Sequence, residues 1–388
     1  QVYITADDSG AAYALKIGVS ATATTGTIKL DNVSVKESTK NNLARVDYDG
    51  TASSLLVEPE RTNLVTYSSD FSESSWLRQN LTVELNSAVS PSGDSDASKL
   101  VEGSSNTTHR ILTSAGLTIS GDVSISVFAK KGERNWIKLL NNNLVGAFFD
   151  LENGVIGSVG GGIDAKIENY GNGWYRCSFT ATAVANERIG IYTSIDGINL
   201  TYQGDGTSGV YVYGATIELG SYPTSYIPTD GGTVTRVQDQ YSKTGISNLI
   251  NSEEGVLFLE MAALSDDGTY RLMNIRDVSN TDNFIYLGYK DASNTIRTRI
   301  EVGGVASTDM EFVLSNETEF NKIAIKWKTN DFALWVNGVE VATDSSGVSF
   351  TANTLDELSL DRNGSLEFNG KVKQLQVFKT ALTDSELI

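Results

Sequence analysis

The chemistry open to this chain is limited by its single histidine, His109, in the stretch SSNTTHRIL. One histidine cannot build an HExxH or other multi-histidine zinc site. The sequence has no GxSxG segment for a serine nucleophile, no GxxxxGK[ST] phosphate loop, and no GxGxxG that opens a helix. We therefore interpret His109 as an exposed or capping residue and expect no catalytic site around it.

Sugar binding needs fewer specialised groups than catalysis. Aromatic rings can cover the apolar side of a pyranose, while amides and carboxylates bind its hydroxyls. An aromatic residue on an alternating strand can equally belong to a core, as we expect for Trp174, Trp327 and Trp335. The candidate glycan-binding residues are Trp76, Trp136, Tyr192 and Tyr202, with Asn141, Asn142 and Asn143 nearby, and, further along the chain, Tyr286, Tyr289, Arg297, Arg299, Asp361, Arg362 and Asn363.

Two acidic loops could supply oxygen ligands to calcium. The first, SDDGTY, contains Asp266 and Asp267, and the second, RDVSNTDN, contains Asp277 and Asp282. The alternative is ordinary turn chemistry, in which each aspartate accepts hydrogen bonds from its own backbone. Calcium is the only cofactor that the sequence suggests.

Overall charge narrows the choice of partners. The 388 residues carry a formal net charge of −18, which repels phosphate backbones and anionic lipid. No run approaches the length of a membrane span, and Cys177, the only cysteine, cannot form an intramolecular disulfide. We expect no nucleic-acid partner, no membrane insertion, and a place outside the cell or on a virion surface.

The elements that would position these residues are short strands joined by polar turns. Three segments have a common plan, in which a glycine opens an alternating strand and a polar connection follows: residues 26–38, 209–223 and 370–382. They predict three β units. FALWVNGVEVATD adds a hairpin with a type I′ turn at Asn337-Gly338, and Thr383 with Glu386 has the spacing of a helix capping box.

The units have predicted boundaries. Residues 1–40 are too few for a complete sandwich and are interpreted as the C-terminal remnant of a preceding β module, with Gln1 at a cut or processed start. A linker over 41–54 precedes a jelly-roll module over 55–235. A second linker over 236–247 leads to another sandwich over 248–388. The predicted fold class is all-β, with tandem antiparallel sandwiches.

Residues 50–240 resemble a domain common in bacteriophage tail and tail-fibre proteins. The segments that carry the resemblance are LLVEPERTNLVTYSSDFSESSW, GNGWYRCSFT, VYVYGATIELGSYPTSYIPT and GGTVTRVQD, in that order. The resemblance implies a jelly roll similar to carbohydrate-binding modules, with EPERTNL in its first strand. We interpret this segment as architectural.

The last unit resembles concanavalin A-like, laminin-G-type lectin domains, through KIAIKWKTNDFALWVNGVEVATD and LEFNGKVKQLQVFKTALTDSELI. This resemblance implies glycan binding, sometimes with calcium, although some relatives are glycanases. Glucanases of this fold resemble one another in an ExDxxE strand, which this sequence lacks. Asp356 and Asp361, at odd spacing, would point to opposite faces of one strand. We therefore expect no catalytic activity.

Together the resemblances imply a virion tail or tail-fibre component that attaches to host surface polysaccharide. Its partners would be other virion tail proteins, and a homotrimer would pair the strands of residues 1–38. Two alternatives stay open. One is a purely structural tail or decoration protein without glycan binding, and the other is an accessory region of a secreted polysaccharide-degrading enzyme or depolymerase.

Overall fold

The computed structural model of the chain describes residues 44–49, 52–362 and 364–387. The chain divides into two units between Thr39 and Lys40, and all described residues belong to the second unit. The predicted N-terminal module over 1–40 and the candidate residue Asn363 lie outside the described residues.

The first eighteen strands run from Arg45 to Arg236, and both short turns and longer loops connect them. Their bounds are β1 (Arg45–Asp49), β2 (Ala52–Val57), β3 (Arg61–Asn63), β4 (Trp76–Gln79), β5 (Leu81–Ala88), β6 (Ala97–Glu102), β7 (Asn106–Thr108), β8 (Arg110–Thr113), β9 (Asp122–Lys131), β10 (Trp136–Leu140), β11 (Gly146–Asp150), β12 (Val155–Val159), β13 (Asp164–Gly171), β14 (Trp174–Thr182), β15 (Gly190–Ser194), β16 (Thr201–Gln203), β17 (Gly209–Leu219) and β18 (Val234–Arg236).

Strands β3 to β18 form the first sandwich. One six-stranded sheet has the order β12-β11-β10-β15-β8-β4, and the facing sheet has the order β13-β14-β9-β17-β6-β5. The short pairs β16-β7 and β18-β3 complete it. All its strand pairings are antiparallel.

The remaining elements complete the second sandwich, and they include the one α-helix of the described residues. They are β19 (Ser242–Thr244), β20 (Glu254–Ala263), β21 (Arg271–Arg276), β22 (Phe284–Tyr289), β23 (Thr295–Val302), β24 (Val305–Val313), β25 (Asn321–Lys328), β26 (Phe332–Val336), β27 (Val339–Asp344), β28 (Glu357–Ser359), β29 (Gly370–Phe378) and α1 (Asp384–Leu387). Its sheets have the orders β1-β2-β29-β20-β25-β26-β27 and β19-β28-β21-β22-β23-β24. The prediction of tandem antiparallel β-sandwiches is confirmed. Within the described ranges no helix has the length and apolar character needed to cross a bilayer.

Strands β1 and β2 differ from the predicted linker over 41–54. They pair with each other, and Leu55–Val57 of β2 pairs with β29, so both strands extend a sheet of the second sandwich. The first sandwich is thus inserted, in sequence, between β2 and β19. The second predicted linker, 236–247, likewise contains β19, which forms the edge of the other sheet by pairing with β28. Both differences arise because edge pairing is decided by a distant strand.

Alternating side chains build the core of the first sandwich. In β9 the residues Val123, Ile125 and Val127 are fully buried between the sheets. The other face of β9 is also covered, because Phe128 packs with Trp174 and its neighbours in a second apolar cluster. Trp174 is thus a core residue, as predicted.

Local signals near the C-terminus behave as the sequence predicts. Asn337 and Gly338 both have positive φ angles, 50° and 79°, and Val336 pairs with Val339 across the turn. At the helix, Thr383 N donates to Glu386 Oε2 at 2.8 Å and Glu386 N donates to Thr383 O at 2.9 Å. The hairpin and the helix start at Thr383 are confirmed, and the Glu386 carboxylate returns to Thr383 N as in a capping box.

The EPERTNL segment contains a buried carboxylate, Glu58, at the junction of the sandwiches. Ser225 N donates to Glu58 Oε1 at 2.7 Å, and Arg236 Nη1 lies 3.1 Å from Glu58 Oε2, which also pairs with Arg45 of β1. The backbones of Glu58 and Asp239 are joined by a bond from Asp239 N to Glu58 O at 2.9 Å, while Glu58 N donates to Asp239 Oδ2 at 2.9 Å. These contacts support the architectural interpretation. We call the five residues the junction cluster.

Candidate functional site

The outer face of the seven-stranded sheet carries a row of residues that lie side by side across five strands. Register places Gln376 beside Phe258, Phe258 beside Ala324, Ala324 beside Trp335, and Trp335 beside Glu340. Adjacent strands are roughly 4.8 Å apart. Because Ala324 is small, the two aromatic residues border a depression in the sheet.

The C-terminal helix turns this depression into a cleft. Leu382 and Leu387 pack against the apolar cluster that contains Ala324 and Trp335. The space left between helix and sheet has a volume of about 400 Å³. Its lining combines apolar, amide and charged side chains, namely Phe258, Lys322, Ala324, Trp335, Asn337, Gly338, Gln374, Gln376, Phe378, Leu382, Glu386 and Leu387.

A donor without a partner lies in this lining. The Nε1 atom of Trp335 is buried and has no hydrogen-bond partner among the described residues, although buried polar atoms are nearly always paired. The amides of Gln374 and Gln376 are exposed at the rim. Glu386 accepts from Thr383 through Oε2, and these hydrogen bonds lower the pKa of Glu386. The cleft therefore offers a ring surface, an indole N–H, two amides and a carboxylate.

The sequence analysis assigned Trp335 to a core, and the structure buries it, at 5% exposed, in the apolar cluster that lines the cleft. The segment FALWV already indicates two clusters, because its five consecutive apolar residues cannot all face one core. Phe332 and Leu334 face the main core of the sandwich, while Trp335 faces the outside of the sheet with Ala333. Trp327 does belong to the main core, as predicted.

Three predicted glycan-binding aromatics are corrected, because the structure buries them in cores. Trp76 is 2% exposed, its ring lies 4.9 Å from the Phe71 ring at a tilt of 43°, and its Nε1 donates to Tyr67 O at 2.8 Å. Tyr289 is fully buried in the main core of the second sandwich. Tyr202 is also buried, and its hydroxyl donates to Glu102 at 2.7 Å. A sugar ring cannot reach any of these faces.

His109 also differs from its prediction, because it is buried and not exposed. Its ring lies 4.7 Å from the ring of Tyr202, and its Nδ1 is 2.7 Å from the carbonyl oxygen of Asn80. The Nε2 atom lies 3.3 Å from Tyr202 O. His109 thus bridges two backbone carbonyls, which is a structural role.

Four predicted residues of the second sandwich do come together, on the outer face of its six-stranded sheet. Tyr286 pairs in register with Arg299, and the guanidinium of Arg362 lies 5.6 Å from the Tyr286 ring. Arg297 forms a two-pronged pair with Asp309, and Arg299 donates to Asp309 at 3.1 Å. Tyr286 is only 3% exposed beneath these side chains. Its ring cannot stack on a sugar, so the prediction for Tyr286 is corrected. Asp361, half-buried, precedes Arg362 in the connection from β28 to β29.

Trp136 and Tyr192 share the outer face of the other sandwich, on the neighbouring strands β10 and β15. Trp136 is half-buried, whereas Tyr192 is 5% exposed and covered by Arg110. Asn141, Asn142 and Asn143 form the turn after β10, where Asn141 Oδ1 accepts from Asn143 N at 3.0 Å.

Three of the four candidate calcium ligands, Asp266, Asp267 and Asp277, use their carboxylates in turn and loop hydrogen bonds. Asp267 accepts from Ser221 Oγ at 2.7 Å and pairs with Arg271. Asp266 accepts from Ser293 and from Asn294 Nδ2. Asp277 caps its own loop through Ser279 N and Asn280 N, and Asp282 O accepts from Gly304 N at 3.0 Å. Among the described residues no three acidic, histidine or cysteine side chains converge as a metal site.

A buried carboxyl near these loops predicts a pH effect on stability. Burial, with the nearby charges of Asp266 and Asp267, raises the pKa of Glu317 to about 7. The folded chain therefore binds a proton more tightly than the unfolded chain, so this contribution to stability is present at acidic pH and is lost as pH rises towards 7. Urea unfolding at pH 5 and pH 8 should show that Glu317→Gln loses less free energy of unfolding between these two pH values than the native chain does.

The control for this measurement is Glu319→Gln, two residues further on and exposed. It should keep the native pH dependence. An unchanged pH dependence in Glu317→Gln would contradict the assignment of the effect to Glu317.

Comparison with known proteins adds a family description to this geometry. Residues 258–388 match the family model described as the concanavalin A-like lectin/glucanases superfamily. This range contains every residue that lines the cleft. A search of curated proteins gave no significant match.

Several solved structures are similar to parts of the chain. One is the Ruminococcus gnavus IT-sialidase CBM40 bound to α2,3-sialyllactose, at 18% identity and a TM-score of 0.31, covering 38% of this chain and 96% of that one. The leech intramolecular trans-sialidase has 21% identity and a TM-score of 0.32, and the match covers 38% of this chain and 25% of that one. Domains LG4-5 of the mouse laminin α1 chain have 10% identity and a TM-score of 0.26, and the match covers 72% of this chain and 89% of that one. Residues 258–388, which contain the cleft, are thus similar to the concanavalin A-like lectin/glucanases superfamily.

Proposed function

We propose that this protein is a non-catalytic glycan-binding protein and that the cleft beside α1 binds the sugar. The observation that carries the proposal is the unpaired Nε1–H of Trp335 in a cleft bordered by two aromatic residues and two amides. The match of residues 258–388 to the concanavalin A-like lectin/glucanases superfamily supports recognition of a glycan.

The composition of the cleft fits a pyranose better than it fits an apolar ligand. Phe258, which is partly exposed, offers ring surface to the C–H side of a sugar, while Gln374 and Gln376 can donate to and accept from its hydroxyls. Trp335 is 5% exposed and contributes its indole N–H, not an open ring face. A sugar hydroxyl that accepts from Trp335 Nε1 would satisfy the buried donor. Glu386 is the one carboxylate in the lining, whereas glycoside hydrolysis generally uses two. This difference supports binding without catalysis.

We further propose that the chain is a virion tail or tail-fibre component, outside the cell, that attaches to host surface polysaccharide. Its support is the resemblance of residues 50–240 to bacteriophage tail modules and the acidic composition. The same proposal includes assembly of this chain into a homotrimer and contact of that trimer with other tail proteins. Light scattering that gave a stable monomer would refute the trimer.

The test of glycan binding is a broad glycan array probed with the whole chain. A fragment starting near residue 240 is unsuitable, because β1 and β2 belong to the sheet of the second sandwich. We expect a defined class of sugars to bind, and Trp335→Ala to weaken that binding about tenfold or more, equivalent to about 1.4 kcal/mol. Trp335→Phe, which keeps a ring but removes the N–H, should weaken it less.

Two further variants make the result specific to the cleft. Gln376→Ala should also weaken binding, while Gln240→Ala, an exposed glutamine between the sandwiches, should leave it unchanged. Native affinity in a folded Trp335→Ala protein would refute the cleft as the site. No binding to any sugar by the folded native chain would favour the purely structural tail protein. Release of reducing sugar from a bound polysaccharide would favour the depolymerase.

A further inference from the structure

A second row of residues crosses the outer face of one sheet of the first sandwich. Register places Gln79 beside Arg110, Arg110 beside Tyr192, Tyr192 beside Lys138, and Lys138 beside Phe148. The row therefore runs over the five strands β4, β8, β15, β10 and β11, and cations alternate with rings along it. We call it the cationic row.

Contacts within the row hold its cations in place. The Arg110 guanidinium lies 5.3 Å from the centre of the Tyr192 ring and donates from Nη1 to the Tyr192 hydroxyl at 2.5 Å. Arg110 Nε donates to Gln79 Oε1 at 2.7 Å. Lys138 Nζ lies 4.5 Å from the centre of the Phe148 ring. Both cations are half-buried, so they are partly removed from water.

These two cations have no carboxylate partner among the described residues. Elsewhere in the same sandwich Lys99, Lys131 and Arg134 do have carboxylate partners. Partial desolvation without a counter-ion is unfavourable, and burial lowers the pKa of Lys138.

Two acidic residues on neighbouring strands and loops hydrogen-bond within their own loops. Asp150, two residues beyond Phe148, accepts from Glu152 N at 2.9 Å and from Asn153 Nδ2 at 2.7 Å. Glu187, in the connection before β15, is buried and accepts from Val184 N at 2.9 Å. Neither carboxylate forms an ion pair with Arg110 or Lys138, so both cations can pair with a ligand.

An aromatic surface adjoins the row. Trp136 lies on β10 two residues before Lys138, on the same face of the strand. A Cβ atom on Gly197, which has a φ of 70°, would lie 2.6 Å from the Trp136 ring, so this glycine lets the loop close against the indole. Trp136 stays half-buried and is thus a partly open ring beside two cations.

We propose that this face of the first sandwich binds an acidic polysaccharide, with Arg110 and Lys138 pairing with sugar carboxylates and Trp136 stacking on a sugar ring. The two cations stand two strands apart, roughly 10 Å, so they can engage carboxylates of different sugar units. The proposal does not rest on the cleft of the second sandwich. It assigns to the chain a second binding site, which selects acidic polysaccharides over neutral ones.

The test uses the whole chain and two matched probes, polygalacturonate and its fully methyl-esterified form. Calorimetry at low ionic strength should show binding of the acidic polymer, weaker binding of the ester, and weakening with added salt. The double variant Arg110→Gln/Lys138→Gln should bind at least tenfold more weakly. Lys243→Gln, which removes one exposed charge far along the chain, should stay within twofold of the native affinity.

Separate readouts distinguish this site from the cleft. Trp335→Ala should keep native affinity for polygalacturonate, and the double variant should keep native binding on the glycan array to neutral sugars. If the double variant does not fold, Lys138→Met, which preserves the aliphatic contact with Phe148, replaces it with the same expected direction. Equal binding of acid and ester, native affinity in a folded variant, or no binding of the acidic polymer would each overturn the proposal.

Discussion

Replacing Glu58 by alanine is expected to lower the free energy of unfolding by about 3–5 kcal/mol, the usual effect of removing one partner from a buried ion pair. Glu58 is 2% exposed and binds Ser225 N and Arg236 while pairing with Arg45. Its loss would leave the largely buried guanidinium of Arg236 with less counter-charge and the Ser225 amide without an acceptor. Both effects act at the junction cluster, so the sandwiches should separate more readily there.

Urea unfolding followed by tryptophan fluorescence measures this change, and limited proteolysis reports its location. We expect faster cleavage between residues 220 and 245 in Glu58→Ala. Glu60→Ala is the matched control, because Glu60 lies two residues away and is exposed; it should change stability by less than about 0.5 kcal/mol. If the two variants were equally stable, the junction cluster would not hold the sandwiches together.

Replacing Trp76 by alanine is expected to cost about 3–5 kcal/mol, as for other large aromatic residues removed from cores. The Trp76 ring packs with Phe71, Val65 and Ile111 in the core of the first sandwich, and its Nε1–H is satisfied by Tyr67 O. Truncation would leave a cavity and an unpaired backbone carbonyl together. Sugar binding by a folded sample should not change, because the ring does not reach solvent.

The neighbouring residue supplies the control for this prediction. Leu77 follows Trp76 on β4 and is 46% exposed, on the opposite face of the strand. Leu77→Ala should therefore cost well under 1 kcal/mol in the same thermal or urea unfolding measurement. A Trp76→Ala protein of native stability that had lost glycan binding would reinstate Trp76 as a ligand residue.

Local chemistry explains which elements could be predicted from the sequence. Asn337-Gly338 and the Thr383–Glu386 pair specify a turn and a helix start through contacts within four residues, and both are found. The alternation of β9 and β25 likewise predicts strands with one row of side chains in a core. Such features depend little on the rest of the fold.

Long-range pairing explains what could not be predicted. The partner of β2 is β29, more than 300 residues later, and no local pattern in 41–54 identifies it. The same limit applies to the site: Trp335 lines a cleft only because Phe258 of β20 and Leu387 of α1, both distant in sequence, come together beside it. Trp76 appeared to be a ligand candidate for the same reason, since the sheet that buries it consists of distant strands.

The placement of β2 also determines how the chain would carry mechanical load. A pull applied between Arg45 and Leu387 passes from β2 directly to β29 through the three residue pairs from Leu55 to Val57. The first sandwich, inserted between β2 and β19, lies outside this force path until those pairs separate. Under tension these three residue pairs should therefore separate first, so that β1 and β2 leave the second sandwich before the first sandwich comes under load.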